Sequence, residues 1–217
     1  WMAGCKIGTN VSMDDFGTYM SYQDFKYYEP KEQRLNKVCF ITSNKKFTRG
    51  HRDRVNFANK ILKNHIDLID IYGNGYNPID DKLEVLSKYK YVLAIENGLC
   101  MDYWTEKLAD SYLAGCHPIY YGCPNISDYF EQDSMTKVNI RDYNGTINTI
   151  KDIIERDVFS TSREAVLTAR NQVLDEYNMF NLIANEVSKI DSYNYLIEKM
   201  SLPEIIYPMK YNLKDLV

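Results

Sequence analysis

Residues 89–122, YKYVLAIENGLCMDYWTEKLADSYLAGCHPIYYG, contain the clearest structural pattern in the chain. The apolar run 91–95 predicts a buried strand, and the acid–amide pair Glu96 and Asn97 follows it directly. After a short loop, Thr105 begins a predicted helix, and a second apolar run, PIYY, comes after that helix. A strand that delivers polar residues to a helix N-terminus is a common way for an α/β sheet to hold a phosphorylated ligand. We therefore expect a sugar-nucleotide site here.

Similar apolar runs alternate with amphipathic segments on both sides of this stretch. Strands are predicted at 38–43, 66–73, 91–96, 118–122 and 137–140. Helices are predicted at 51–64, 80–89, 105–115 and 145–157. Strands separated by crossover helices predict an α/β fold, a Rossmann-like parallel sheet with helices on both faces.

The pattern divides the chain into three segments. Residues 1–35 show no clear periodicity, and we interpret them as a linker or the remnant of a preceding domain. Residues 36–160 are predicted to form the nucleotide-sugar-binding Rossmann-like domain. Residues 161–217 are predicted to be a C-terminal helical segment and tail.

Charge and apolar run length limit the classes of partner. The 217 residues include 26 Lys and Arg against 30 Asp and Glu, a net charge of −4, whereas a nucleic-acid-binding protein presents a clustered basic face. No apolar run approaches the ~20 residues that a membrane span needs. Because the chain starts at Trp1 rather than Met, we expect a fragment or a processed chain. Any peripheral membrane association would act through the missing sequence.

The cysteines and histidines do not form a metal-binding pattern. The five cysteines include no Cys-x-x-Cys pair and the three histidines are far apart in the sequence, so we predict no metal. An odd, scattered set of cysteines is typical of a reducing compartment, and we expect a cytoplasmic location. Three Asn-x-Ser/Thr matches, at Asn10, Asn125 and Asn144, would instead suit a secretory lumen, but chance matches are expected in an Asn-rich chain.

The helix that begins at Thr105 has the features of an anion site. Thr105 is a good N-cap residue, and the free N–H groups of the first turn favour a negative charge. Lys107 adds a positive charge, and Glu106 could accept hydrogen bonds from sugar hydroxyls, as acidic residues do for ribose in dinucleotide folds. The alternative is a capped helix with a solvated Glu–Lys pair. Likewise, Asn97 and Gly98 could simply form a turn.

A second cationic segment, TRGHRDR at 48–54, follows the first predicted strand and enters a helix. Its three arginines suit a diphosphate because guanidinium groups bind phosphate oxygens bidentately. A solvated basic helix start is the alternative. Cations at a helix N-terminus oppose the helix dipole, however, and an anion between them would remove that conflict.

Several nucleotide and hydrolase motifs do not occur. There is no GxGxxG and no GxxxxGK[ST], which argues against a Rossmann dehydrogenase and against a P-loop protein. There is no Asp-x-Asp, so we expect Arg, Lys and helix dipoles, rather than a metal, to neutralise a diphosphate. The GxSxG of a serine hydrolase is missing too.

These residues together resemble the donor-binding half of the α-1,3/4-fucosyltransferases, glycosyltransferase family 10, over residues 37–145. The resemblance is carried, in this order and spacing, by 38–44 with Arg54, Tyr72-Gly73, Tyr89-Lys90-Tyr91, Glu96-Asn97, Asp102-Tyr103, Thr105-Glu106-Lys107, Pro118-Ile119-Tyr120 and Gly122. The resemblance implies a GT-B architecture, with GDP-fucose as the donor substrate and no tightly bound cofactor. It also implies inverting transfer to a hydroxyl of an oligosaccharide or glycolipid acceptor.

The resemblance also implies roles for individual residues. Arg54 would hold the diphosphate, with Arg52 as a competing candidate. Lys107 would contact a phosphate. Glu106 would bind hydroxyls of a donor sugar, with the ribose as the favoured partner. Asn97 and Tyr103 would line the same pocket. The donor-binding residues predicted in total are Arg52, Arg54, Glu96, Asn97, Tyr103, Thr105, Glu106 and Lys107.

The family's general base and acceptor site lie in an N-terminal acceptor domain, of which residues 1–35 would be a remnant. Glu29 and Asp24 could be nominated as the base, but no feature supports either, so the catalytic residue is left open. We therefore expect this chain to bind the donor and to transfer poorly.

The chain departs from the family pattern at three positions. Gly98 stands where Ser is usual, Trp104 where a β-branched residue is usual, and His117 where an apolar residue is usual. Trp104 could narrow the pocket. Two alternatives stay open: a GT-B transferase that uses another nucleotide sugar, and a non-catalytic α/β binding module of flavodoxin-like shape.

Overall fold

A parallel sheet of five strands forms the centre of the protein. The structure, a computed structural model, describes residues 22–191, so the first part of the predicted linker and residues 192–217 of the predicted tail lie outside the described residues. The strands are β1 (Leu35–Ile41), β2 (Ile69–Tyr72), β3 (Tyr89–Ile95), β4 (His117–Tyr121) and β5 (Thr136–Lys137). They lie in the order β2-β1-β3-β4-β5, and every neighbouring pair is parallel.

Helices cover both faces of the sheet. They are α1 (Tyr22–Tyr27), α2 (Arg49–Asn64), α3 (Lys82–Leu86), α4 (Glu106–Leu113), α5 (Tyr143–Glu155), α6 (Val158–Thr161) and α7 (Arg163–Asp175). A further helix, α8 (Met179–Asp191), follows in sequence. Two short 3-10 turns, Ile126–Asp128 and Gln132–Ser134, lie between β4 and β5. The predicted Rossmann-like α/β fold with helices on both faces is therefore confirmed.

Two apolar cores form because successive side chains of a strand point to opposite faces of the sheet. In β1, Val38 and Phe40 pack with Phe57 of α2, in a core that also contains α5 residues. Cys39, between them in sequence, belongs to the other core, which α3, α4 and α7 cover. Both faces are buried, which explains why the strands are almost continuously apolar.

The predicted strands and helices mostly correspond to the observed ones, with ends that differ by up to three residues. The prediction of a strand at 137–140 is wrong beyond Lys137. Val138 still donates to the carbonyl of Tyr120 at 2.9 Å, but Asn139 accepts from Asp142 in a turn that leads into α5. The sheet thus ends with a two-residue edge strand.

The N-terminal segment contains a helix that its sequence pattern does not predict. Phe25 of α1 is fully buried in the core beneath α4 and α7. Arg170 of α7 donates to the backbone oxygens of Phe25 and of Tyr28, the latter at 2.9 Å. One buried aromatic residue in a six-residue helix leaves no periodic pattern, which is why the sequence does not predict α1. The interpretation of residues 1–35 as a linker or the remnant of a preceding domain stays a prediction.

The helix α7 belongs to the core of the sheet domain. Its side chains Val166, Ala169 and Val173 are buried against α4. The compact unit ends at Met179, and the unit that follows includes most of α8. Residues 163–175 are thus part of the same core as the sheet, whereas the rest of the predicted domain organisation stays a prediction. Within residues 22–191 no helix combines the length and apolarity needed to cross a membrane.

The strand order reverses between β1 and β3, and we call the edge formed by the C-terminal ends of these two strands the crevice. The chain passes from β1 to β2 on one side and then returns to β3 on the other. In open parallel sheets this reversal is where ligands bind, outside the carboxyl ends of the strands. α2 follows β1 and α4 follows β3, so both helix N-termini lie at this edge of the sheet.

Candidate functional site

Glu96 and Thr105 tie the end of β3 to the start of α4. One carboxylate oxygen of Glu96 accepts the Thr105 amide at 2.8 Å, and the other accepts the Thr105 hydroxyl at 2.7 Å. Glu96 is only 1% exposed. Burial raises the pKa of Glu96, and Lys107 and the two hydrogen bonds from Thr105 oppose that rise. Thr105 in turn accepts from the amide of Lys107 as the N-cap of α4.

Lys107 and Glu106 form the first turn of α4 and face this carboxylate. The Lys107 Nζ donates to Thr105 Oγ1 at 2.9 Å, and it lies 3.0 Å from Glu106 Oε1 and 3.4 Å from Glu96 Oε2. Burial acts to raise the pKa of Glu106, but Lys107, Lys82 and Thr105 outweigh it and hold that pKa below its usual value. Glu106 is therefore held as a partly exposed carboxylate that can accept hydrogen bonds.

Arg54 brings a buried cation to the same edge of the sheet from α2. It is 5% exposed, and Nη1 makes one long hydrogen bond, 3.4 Å, to the carbonyl of Ile95 at the end of β3. The buried Nε has no hydrogen-bond partner among the described residues. Burial lowers the pKa of Arg54, whereas Glu96, Glu106 and the phenol of Tyr103 act to raise it. These groups therefore lie within electrostatic reach of one another.

The structure separates the two competing arginines. Arg52 is exposed, and its guanidinium donates to the carbonyl of Lys46 at 3.4 Å, in the loop before α2. Residues two positions apart do not share a helix face, so only Arg54 points to the cluster around Glu96. Of the eight predicted residues, the structure brings together Arg54, Glu96, Tyr103, Thr105, Glu106 and Lys107.

Asn97 lies at the contact between the two sides of the crevice. Its Oδ1 is buried without a hydrogen-bond partner among the described residues. Its backbone oxygen meets Gly50 of α2 so closely that a Cβ at Gly50 would lie 1.7 Å from it. On the other side of Glu96, a Cβ at Gly122 would lie 2.5 Å from the Glu96 Cγ. These glycines let the backbone pack tightly around the carboxylate.

Two of the departures from the family pattern have packing roles. The Trp104 ring makes edge contacts with Tyr129, Phe130 and Tyr177, with ring centroids 5.1 to 5.9 Å apart. The buried His117 lies 2.8 Å from both the Ser162 hydroxyl and the Thr136 hydroxyl. Trp104 thus belongs to an aromatic cluster, and the expectation that it narrows a donor pocket finds no support in this packing.

Tyr76 and Lys82 act electrostatically on residues of this cluster, and the sequence did not predict either of them there. The Tyr76 phenol acts electrostatically on Arg54, and it follows the turn at the end of β2, where Gly73 and Gly75 adopt positive φ values. Lys82 pairs with the buried Asp110 at 2.9 Å and also acts on Glu106. The Gly-rich turn was a usable signal for Tyr76, whereas Lys82 could be placed only from the packing of α3 on α4.

The site offers cations and carboxylates but no cluster suited to a metal. Within residues 22–191, no group of three or more His, Cys, Asp or Glu could hold an ion. Lys107 lies in the first turn of α4 and Arg54 in the second turn of α2, and the backbone N–H groups at the starts of these helices also favour an anion. A parallel α/β sheet with these groups at the ends of its strands belongs to the class of domains that bind phosphorylated ligands at this edge.

Comparison with known families agrees with that class. The model of glycosyltransferase family 10 (fucosyltransferase), C-terminal domain, matches residues 31–160. The chain belongs to this family.

Individual relatives share only part of their length with this chain. It is 30% identical over 129 residues to α-(1,3)-fucosyltransferase B of Drosophila melanogaster, a match of 57% of this chain and 28% of that protein. It is 30% identical over 132 residues to α-(1,3)-fucosyltransferase FucT of Helicobacter pylori, a match of 61% and 24%. The matched region thus spans about a quarter of these relatives.

Solved structures resemble the fold. A TarM variant of S. aureus, crystallised with UDP among its ligands, has a TM-score of 0.50 at 14% identity and matches 74% of this chain and 37% of that one. An α1,3-fucosyltransferase crystallised with GDP-fucose has a TM-score of 0.49 at 22% identity and matches 71% and 51%.

Proposed function

We propose that this chain is the donor-binding part of a fucosyltransferase and binds GDP-fucose between the C-terminal ends of β1 and β3. Membership of the family supports this proposal, as does the position of the site at the reversal of the strand order. The acceptor is proposed to be a hydroxyl of an oligosaccharide or glycolipid, and the transfer to be inverting.

The observation that carries the proposal is the state of Arg54. A guanidinium that is 5% exposed, with a buried and unpartnered Nε, is costly unless another group satisfies it. Its carboxylate neighbours do not do so, since Glu96 is bonded to Thr105 and Glu106 to Lys107. A diphosphate would supply the missing acceptors and favour the charged form of Arg54.

The proposed contacts of the other site residues follow from their exposure and charge. Lys107, in the first turn of α4, would contact a phosphate and is held in place by Thr105 and Glu96. Glu106, partly exposed, would accept hydroxyls of the ribose. Asn97 and Tyr103 would line the pocket, whereas the buried Glu96 would support the helix start and not touch the donor.

The mechanism would be an in-line displacement at the anomeric carbon of the fucose. As the bond to the diphosphate breaks, negative charge grows on the departing GDP. Arg54, Lys107 and the N–H groups at the two helix N-termini are fixed in advance toward that charge, so they stabilise the transition state without reorganising. A carboxylate base would take the proton of the acceptor hydroxyl, and its identity stays open.

A panel of ligands tests the donor. Thermal unfolding and calorimetric titration of the full chain with GDP-fucose, GDP, a UDP-sugar and UDP would be compared with buffer, because a ligand that binds only the folded state must raise the unfolding midpoint. The proposal expects binding of GDP-fucose and GDP. Preference for the UDP ligands would replace fucose by another nucleotide sugar, and no binding of any ligand would favour the non-catalytic module.

The cytoplasmic location stays a prediction from the cysteine pattern. Fractionation of cells that express the protein would test it.

A further inference from the structure

The first turn of α2 collects cations and has no acidic residue. Thr48 caps this 16-residue helix, and its hydroxyl accepts from the amide of His51 at 3.2 Å. Arg49, His51 and Arg52 all lie in the first turn, where the helix dipole disfavours positive charge. A helix N-terminus alone does not make a site. Here a buried guanidinium without a partner for its Nε, that of Arg54, stands one turn further along the same helix.

The two ring nitrogens of His51 differ in their contacts. Nδ1 lies 2.7 Å from the Thr48 hydroxyl, and the Phe47 ring packs edge-on against the imidazole with centroids 6.2 Å apart. A hydroxyl can donate or accept, so this contact survives both in the neutral and in the protonated imidazole. No hydrogen bond to Nε2 occurs among the described residues, and this nitrogen is therefore free to meet a ligand.

Three cations from three parts of the fold act electrostatically on this ring. They are Lys45 in the loop after β1, Arg54 of α2 and Lys107 of α4. Burial lowers the pKa of His51, and these three cations lower it further. Among the described residues, no carboxylate contributes to the lowered pKa of His51. The nearby acids Glu96 and Glu106 interact instead with Lys107 and Arg54. In the free protein the ring is thus kept neutral near pH 7.

We propose that His51 is a ligand of the donor's diphosphate and takes up a proton when the donor binds. The inference rests on the proposed function, because the same cations that hold the ring neutral are those that would bind the diphosphate. Once the anion lies among Lys45, Arg54 and Lys107, its charge cancels theirs. The imidazolium form is then favoured, and it donates Nε2–H to a phosphate oxygen.

The direction of the pH effect follows from this change. Binding raises the pKa of His51 from its lowered value in the free protein, so between the two values the complex holds a proton that the free protein does not. The affinity for the donor must therefore rise as the pH falls through this window. For each unit by which binding raises the pKa of His51, the donor binds about tenfold more tightly at a pH below both pKa values than at a pH above both.

Calorimetric titration of the full chain with GDP-fucose, in pairs of buffers that differ in ionisation enthalpy, measures the protons taken up. GDP-fucose is suited to this test because its diphosphate is esterified at both ends and does not itself titrate near neutral pH. Near pH 6.5, the ordinary pKa of histidine, the wild-type chain is expected to take up a fraction of one proton. His51→Gln is expected to lose that uptake and to bind with an affinity that no longer depends on pH in this range.

The matched control is His65→Gln at the opposite end of α2, where the ring packs on Tyr143. It is expected to keep the wild-type uptake. Equal uptake in His51→Gln and the wild type would assign the proton to another group, such as Glu96, and overturn the inference. Binding of GDP-fucose without uptake would do the same and leave the proposed function intact, whereas failure to bind GDP-fucose at all would remove both.

A second measurement does not depend on the variant's folding. The chain has three histidines, and the ring-proton signals can be followed by NMR against pH with and without GDP-fucose. The signal of His51 is expected to titrate at higher pH in the complex than in the free protein. A titration curve that the donor leaves unmoved would contradict the inference directly.

Discussion

The carboxylate of Glu96 accepts hydrogen bonds from both the amide and the hydroxyl of Thr105. Glu96 directly follows β3, and it thereby holds Thr105, the N-cap residue of α4, in place. The residues between them form an irregular loop, and these two bonds fix where α4 begins. Lys107 projects from that cap and lies 3.4 Å from the same carboxylate. The buried acid thus fixes the position of the cation that we propose meets the donor's phosphate.

Glu96→Gln is expected to change how stability depends on pH. The pKa of Glu96 is raised in the folded state, chiefly by burial. A raised pKa contributes stability that is complete below the unfolded value, near 4.5, and is lost as the pH rises through the folded value. The wild type should therefore lose stability relative to Glu96→Gln between about pH 4.5 and neutral pH. Urea unfolding across this range measures the difference.

The exposed Glu131 offers the control for this experiment, since Glu131→Gln alters a carboxyl of the same type away from the site. Its stability curve should run parallel to that of the wild type. If Glu96→Gln also runs parallel, the carboxyl of Glu96 titrates as it does in water, and the described burial of its charge is incorrect.

Gly50→Ala is expected to separate the two sides of the crevice. The new Cβ would lie 1.7 Å from the backbone oxygen of Asn97, and backbone cannot move aside as a flexible side chain would. Overpacking of this kind costs about 1–3 kcal/mol. Urea unfolding should show that loss of stability, and titration with GDP-fucose should show weaker binding because α2 carries Arg54.

Gly98→Ala is the matched change in the facing loop. No atom lies within 4 Å of the Cβ that it would add. Stability and donor binding should stay close to those of the wild type. Equal losses in the two variants would show that the contact between Gly50 and Asn97 is not specific.

His117→Gln is expected to make the protein more resistant to mild acid than the wild type. Burial lowers the pKa of His117 to about 4 from the ordinary 6.5. A lowered histidine pKa contributes stability that is complete above 6.5 and is lost as the pH falls toward 4. The difference between the two values corresponds to roughly 3 kcal/mol at its limit. Gln can keep hydrogen bonds to Ser162 and Thr136 and does not titrate.

Unfolding of the wild type and of His117→Gln should be measured from neutral pH down to about pH 4, the pKa of the buried ring. The wild type should lose more stability over this range than the variant, even if the variant is less stable at neutral pH. Parallel loss would mean that the ring is already charged, or exposed, in the folded protein.

The sequence was sufficient for the central strands β3 and β4 because they are buried on both faces and therefore almost continuously apolar. The helix between β3 and β4 was equally plain, since Thr105 marks its start and Gly115, at φ 68°, its end. The two-residue edge strand β5 has no such apolar pattern. α1 was missed because six residues with a single buried side chain, Phe25, have no period to detect. Only the packed structure shows where that ring goes.

The candidate site was predictable as a set but not in its division of roles. Residues at the C-terminal ends of parallel strands meet at one edge, so Arg54, Glu96 and Lys107 were expected together. The pattern could not choose between Arg52 and Arg54, because which helix face is buried there depends on packing against β3. It also could not show the hydrogen bonds between Glu96 and Thr105, because an irregular loop separates these two residues in the sequence.

The two arginines of α2 give the most direct test of the donor site. Arg54→Ala and Arg52→Ala remove the same group from positions two residues apart, one buried at the crevice and one exposed. Calorimetric titration with GDP-fucose should show that Arg54→Ala weakens binding by about 1.5–3 kcal/mol, the scale of a charged hydrogen bond, whereas Arg52→Ala changes it little. Undiminished binding in Arg54→Ala, with circular dichroism showing an intact fold, would contradict the proposed site.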